Sequence, residues 1–291
     1  MTRRRRCGSL LFLAVLWLGT LAGCTAGGLL RLANSADVIN GAVTVSHDIA
    51  YGTLPRQRLD LYLPRHPPGR PVPLVVFVHG GSWYWGAKNQ YRFVGAALAE
   101  QGVVVAVINY RLYPEAHLED SVEDVVTAVA FAEREATRRT GDPARVYLMG
   151  HSAGAQLAAL VALNPTRLAA VGVPAVNGFI GLAGPYDFLP ITDDYLKEYF
   201  GPQERYPLSQ PVNFVSSASA PALLVQGLKD TTVRPRNADA LGARLRAAGV
   251  PVENLLLEDD DHSTVLKRLA RPYRHADPMV ERVLRFVGAA P

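Results

Sequence analysis

Two cysteines in 291 residues, Cys7 and Cys24, leave everything beyond position 24 without a thiol. That absence excludes a disulfide framework and any thiolate metal site in the body of the chain, which could therefore sit in an oxidising compartment. Excess charge is equally scarce. The 30 Lys+Arg against 26 Asp+Glu look basic, but residues 1–23 hold four arginines and no acid, leaving 26 of each sign. Such a balance gives no electrostatic footprint for nucleic acid as a partner. The apolar run from Leu10 to Leu18 is short for a membrane span. With 49% hydrophobic and 19% charged residues, the composition is that of a globular protein, which excludes pervasive disorder. There is no internal repeat and no low-complexity tract.

What is present begins with the leader. Four arginines, then an apolar run, then small residues form the layout of an export signal. Leu21, Ala22, Gly23 and Cys24 resemble the lipobox of bacterial lipoproteins. The resemblance implies cleavage after residue 23 and acylation of Cys24, hence an exported protein anchored to the membrane of the cell envelope. Residues 25–40 are small and polar without a strong period and read as a tether, leaving 41–291 as the folded domain.

Within that domain, VTVSHDIAYG and RLDLYLP read as two strands joined by a turn, and the proline-rich stretch Pro64 to Pro73 as a loop. PLVVFVH and GVVVAVINY are nearly continuous apolar, β-branched runs, the pattern of strands buried on both faces of a parallel sheet. RVYLMG, PALLVQG and VENLLLE add further strands. Helical spacing separates them at KNQYRFVGAALAEQG, Ser121 to Arg138, Ala153 to Leu163 and Arg236 to Ala248. The alternation predicts an α/β fold, a mostly parallel sheet with helices on both faces and ligands bound beyond the carboxyl ends of the strands. Gly184 to Phe214, rich in proline and aromatics, interrupts the rhythm and reads as a cap insertion over a substrate pocket.

GHSAG places Ser152 in the pattern G-x-S-x-G, directly after the predicted strand Arg145 to Met149 and at the start of a predicted helix. There a serine can be held on a strained turn, with the free N–H groups of the helix start facing a developing oxyanion. A serine hydroxyl is a poor nucleophile at neutral pH, so a base must take its proton. His262 in EDDDHST fits, on a loop after a late strand, with His275 as rival beside the last helix. His47, His66 and His117 read as surface residues and His151 as packing. Asp230 in GLKDTTV, past the end of a buried strand, is the carboxylate to orient the base. Asp187 in GPYDF could substitute for it, while Asp259, Asp260 and Asp261 read as a solvated charge run. HGGSW supplies a glycine loop whose Gly81 and Ser82 amides, with that of Ala153, would form an oxyanion hole; Gly80 and Trp83 would line the pocket, with Tyr84 and Trp85 beside them.

HGGSW, NYRLYPE, GHSAGA, GLKDTTV and DHS together resemble the carboxylesterase branch of the α/β-hydrolase superfamily related to hormone-sensitive lipase, from about Val45 to Phe286. The resemblance implies an α/β-hydrolase fold with nucleophile Ser152, acid Asp230, base His262 and an oxyanion loop over Gly80 to Ser82. Better-known members carry a third glycine where this chain has Ser82. HGG followed by a variable residue and Trp is more similar to kynurenine formamidases and related esterases. The expectation is a serine hydrolase for small-molecule esters that requires no metal or organic cofactor. Its rivals are an aryl formamidase with the same chemistry and a non-catalytic binding protein on the same fold.

Overall fold

The computed structural model describes residues 28, 30–34, 41–66, 71–140, 143–271 and 273–289. The leader, Cys24 and most of the tether lie outside them. Among the described residues no helix is long and apolar enough to cross a membrane.

The sheet begins with an antiparallel pair, β1 (Val43–Ala50) and β2 (Arg58–Pro64), and β2 pairs antiparallel with Val104–Ile108, strand β4. Then follow β3 (Val72–Val78), helix α1 (Arg92–Ala99), β4 (Val104–Ile108), α2 (Leu118–Thr140), β5 (Pro143–His151), α3 (Ala153–Ala162), α4 (Pro165–Ala169) and β6 (Gly178–Leu182). After α5 (Asp194–Phe200) come β7 (Ala222–Gly227), α6 (Arg236–Ala247), β8 (Val252–Leu257), α7 (Thr264–Lys267) and α8 (Pro278–Phe286). The eight strands lie in the order β1-β2-β4-β3-β5-β6-β7-β8, parallel from β4 through β8.

Alternation along the strands divides the interior in two, because successive side chains leave a strand on opposite faces. Leu74, Val76 and Val78 of β3 join a core with α2, α3 and α6, while Val75 and Phe77 join another with α1 and α8. Burial on both faces explains why these strands read as unbroken apolar runs. Two elements depart from the sequence expectation. GFIGL, with two glycines in five residues, carries a weak strand signal, yet it forms β6, fully buried between β5 and β7. Residues 30–34, expected as irregular tether, are helical, with Leu30 and Ala33 buried in the α1 side of the core and Asn34 hydrogen-bonded to Asn89 and Phe93. The loop expected over Pro64 to Pro73 is shorter, since β2 runs through Pro64 and β3 begins at Val72.

Candidate active site

Ser152 stands at the carboxyl end of β5, between the last strand residue and the first residue of α3, with φ 54° and ψ −126°. A side-chain-bearing residue in that region costs on the order of 1–3 kcal/mol and persists where its surroundings over-determine it. Here they do. The Ser152 N–H is tied to the Leu182 carbonyl of β6 at 2.9 Å, and its carbonyl accepts from Ala155 and Gln156. The two glycines of the motif let the turn close. A Cβ at Gly150 would lie 2.4 Å from the Gly154 carbonyl oxygen, and one at Gly154 would lie 2.2 Å from that of Val78.

His262 comes from the loop between β8 and α7, and Asp230 from the turn after β7. The three groups, distant in sequence, form one chain of hydrogen bonds. Asp230 Oδ2 accepts from His262 Nδ1 at 2.8 Å, which leaves Nε2 unprotonated to accept from Ser152 Oγ at 2.9 Å. Asp230 is 3% exposed, and its second oxygen accepts the N–H groups of Thr232 and Val233, so its orientation is fixed by its own turn. Gln226 Nε2 adds a bond at 3.1 Å to Oδ2. Ser152 itself is buried, 9% exposed. This arrangement can move a proton from a hydroxyl to an imidazole whose cation faces a buried carboxylate.

Other sequence expectations fare differently. Asp187 is exposed and, among the described residues, makes no hydrogen bond to His262. His275, His66 and His117 are exposed, and half-exposed His47 pairs with Asp60. The reading of Asp259, Asp260 and Asp261 as a solvated run holds for Asp259, which is exposed and paired with Lys229. It holds too for Asp261, which is exposed, and fails for Asp260. Asp260 is buried against Arg268, which also reaches Asp277, and Asp261 accepts from the N–H groups of Ser263 and Thr264. These bonds brace the loop that carries His262. The sequence signal was an acid run beside a histidine, which composition alone assigns to solvent.

His151 also does more than fill space. Its ring lies 4.9 Å from that of His262, and its Nε2–H donates to the His262 carbonyl at 3.0 Å. Burial, with the neighbouring His262 second, depresses its pKa to about 3, so the ring is neutral. His79, at the end of β3, is held neutral by burial in the same way, at about 3.

The loop after β3 abuts Ser152: a Cβ on Gly80 would come within 3.2 Å of Ser152 Cβ. Among the described residues the N–H groups of Gly81, Ser82 and Ala153 have no protein acceptor. Ser82 and Trp83 both take positive φ, 48° and 63°, costly for residues with side chains by about 1–2 kcal/mol each. Trp83, expected to line the pocket, is 6% exposed, its indole enclosed by Phe188, Tyr199 and Phe200 of the segment 184–214. It therefore joins the loop to that segment more than it faces a ligand. Tyr84 is the exposed aromatic there, edge-on to Tyr195. The segment consists of α5 and two 3-10 stretches, Gln203–Ser209 and Pro211–Phe214. Gln156, which sequence reasoning passed over as one more residue of α3, bonds to both the loop and the segment. Among the described residues no group of three or more His, Cys, Asp or Glu could hold a metal ion.

Residues 59–245 match the BD-FAE family model. A probable isoprenylcysteine alpha-carbonyl methylesterase of Oryza sativa subsp. japonica is 30% identical over 84% of this chain. A kynurenine formamidase of Danio rerio is 29% identical over 76% of this chain and 76% of its own. The chain spans 64% of the rice protein and 56% of an Arabidopsis thaliana isoprenylcysteine alpha-carbonyl methylesterase. A solved structure of Esterase B from Lactobacillus rhamnosis superposes with a TM-score of 0.74 at 22% identity, covering 97% of this chain and 96% of that one. With the strand order above, that likeness assigns the α/β-hydrolase fold.

Proposed function

The chain belongs to the BD-FAE family, and from that premise we propose that it is a serine carboxylesterase acting on small-molecule esters. The observation that carries the reading is the unbroken chain from Ser152 Oγ through His262 to Asp230, at 2.9 and 2.8 Å. Esterase names among its relatives and fold neighbours support the same class. Ser152 Oγ attacks the ester carbonyl carbon as its proton passes to His262 Nε2, and Asp230 stabilises the resulting imidazolium. The negative oxygen of the tetrahedral species faces the N–H groups of Gly81, Ser82 and Ala153. Collapse expels the alcohol, which leaves with the proton from Nε2. Water then attacks the acyl-enzyme as its proton passes to Nε2, and the acid departs as Nε2 returns that proton to Ser152 Oγ.

The segment 184–214 acts as the cap of this site, its aromatics packed on Trp83. A formamidase is the second reading, favoured by the 29% identity to a relative named kynurenine formamidase and by HGGSW. It would use the same residues on a formyl amide. The protein is assayed on p-nitrophenyl esters of short and long acyl length and on N-formylkynurenine, beside Ser152→Ala. Loss of about 10⁴-fold or more in kcat with the variant is expected. Equal slow turnover by both proteins on every substrate overturns the reading.

We also propose that the enzyme is exported and anchored through acylated Cys24, on the strength of the leader and of Leu21 to Cys24. Palmitate incorporation in cells should vanish with Cys24→Ala. Labelling that survives the substitution sinks the anchor.

A further inference from the structure

Gln156 lies four residues beyond Ser152 on α3, one turn along the same face of the helix. It is 0% exposed. A buried primary amide is tolerated where both its ends are satisfied, and here each end has one partner. Oε1 accepts the indole N–H of Trp83 at 3.1 Å, and Nε2 donates to the Ser209 carbonyl at 2.8 Å. An indole nitrogen can only donate and a carbonyl can only accept, so the amide has a single orientation. Three elements thus meet at one side chain: the nucleophile helix, the loop carrying Gly81 and Ser82, and the cap.

The loop is a backbone in need of holding. Ser82 and Trp83 sit consecutively in the left-handed region, which side-chain-bearing residues leave unless fixed from outside. Trp83 is fixed at both ends. Its carbonyl accepts from the Tyr113 N–H at 2.9 Å, and its indole is gripped by the cap aromatics and by Gln156. Of these constraints, Gln156 is the one that ties the loop to the helix bearing the nucleophile.

We propose that Gln156 is a positioning residue for the oxyanion loop, one that couples the seating of the cap to the alignment of the Gly81 and Ser82 amides with Ser152. The proposal rests on the esterase reading above. Cap and oxyanion donors then move as one body, and a cap displaced at Ser209 frees Gln156, lets Trp83 turn and lets the strained backbone relax away from the nucleophile.

The test uses the full chain with Gln156→Met, which keeps the shape of the side chain and removes both bonds, and with Trp83→Phe, which removes the indole donor. Active sites are counted by the burst of p-nitrophenol from diethyl p-nitrophenyl phosphate. Per counted site, kcat on p-nitrophenyl butyrate should fall by about tenfold to a hundredfold, with KM within about threefold, as befits donors felt in the transition state. Inhibition by a trifluoromethyl ketone of matching acyl length, which adds Ser152 Oγ to its carbonyl and leaves an oxyanion, should weaken by the same factor as kcat/KM. The double variant should be little worse than the poorer single one, because both break one link. A merely structural role would lower the count of active sites and leave kcat per site and ketone affinity unchanged, which overturns the proposal. If wild type and Ser152→Ala are equally inert, the esterase reading falls and this one with it. A full-rate Gln156→Met against an inert Ser152→Ala overturns the positioning role alone.

Discussion

Asp230 gives His262 an acceptor in a fixed direction, because its other oxygen is already committed to the N–H groups of Thr232 and Val233. An amide in its place would offer a donor or a weaker acceptor and would release the imidazole to its other tautomer, which cannot take a proton at Nε2. Asp230→Asn should therefore keep the fold and lower kcat by about 10⁴-fold near neutral pH. Steady-state kinetics beside an unfolding curve separates the two effects; a loss below tenfold would mean that another carboxylate orients the base. Asp187 is the rival, but its side chain is exposed and its backbone N–H is bonded to Asn237. At this scale His151 shows what a motif hides. It precedes Ser152 in the chain, and the turn swings its ring against that of His262, where its Nε2–H holds the His262 carbonyl.

At the scale of elements, the junction of β5 and α3 decides how Ser152 is held. The helix starts so close to β3 that the carbonyl oxygens of Val78 and His79 would lie 2.2 and 2.3 Å from a Cβ on Gly154. Backbone oxygens at the end of a central strand cannot step aside as a flexible side chain could. Gly154→Ala should then cost about 3 kcal/mol or more, at or beyond the usual range for overpacking a core. Urea unfolding of the purified variant measures it. A change under 1 kcal/mol would show that α3 can retreat from the sheet. The same contact explains why a glycine stands two residues after Ser152: it serves the approach of helix to sheet.

For the whole molecule, the consequence is a dependence of stability on acid. His79 and His151 are buried, and burial, the largest cause for each, drives both from 6.5 to about 3. Between those values the unfolded chain protonates both rings and the folded chain neither. The unfolded state then binds about two more protons, and stability falls with falling pH by about 1.4 kcal/mol per unit for each ring. This contribution is complete above pH 6.5 and is lost progressively toward pH 3. Urea midpoints at pH 7, 6 and 5 should decline, and His151→Gln should reduce the slope by about half. A slope unchanged by that substitution would mean that His151 is already charged in the folded protein.

The sequence by itself determined the sheet, since β-branched runs such as Leu74 to Val78 and Val104 to Ile108 are long enough in apolar surface to demand burial on both faces. It also determined the candidates Ser152, Asp230 and His262, because each follows a recognisable strand at the edge where ligands bind. Tertiary structure decided the rest. β6 was illegible because its glycines dilute the periodic signal, and Asp260 because a charge's partner, Arg268, is a matter of folding rather than of spacing. Gln156 was hidden for the same reason. A single amide on an alanine-rich helix gains meaning from Trp83 and Ser209, 73 and 53 residues away, which local pattern does not reach. Periodicity reports which face of an element is buried; it does not report what waits on the other side.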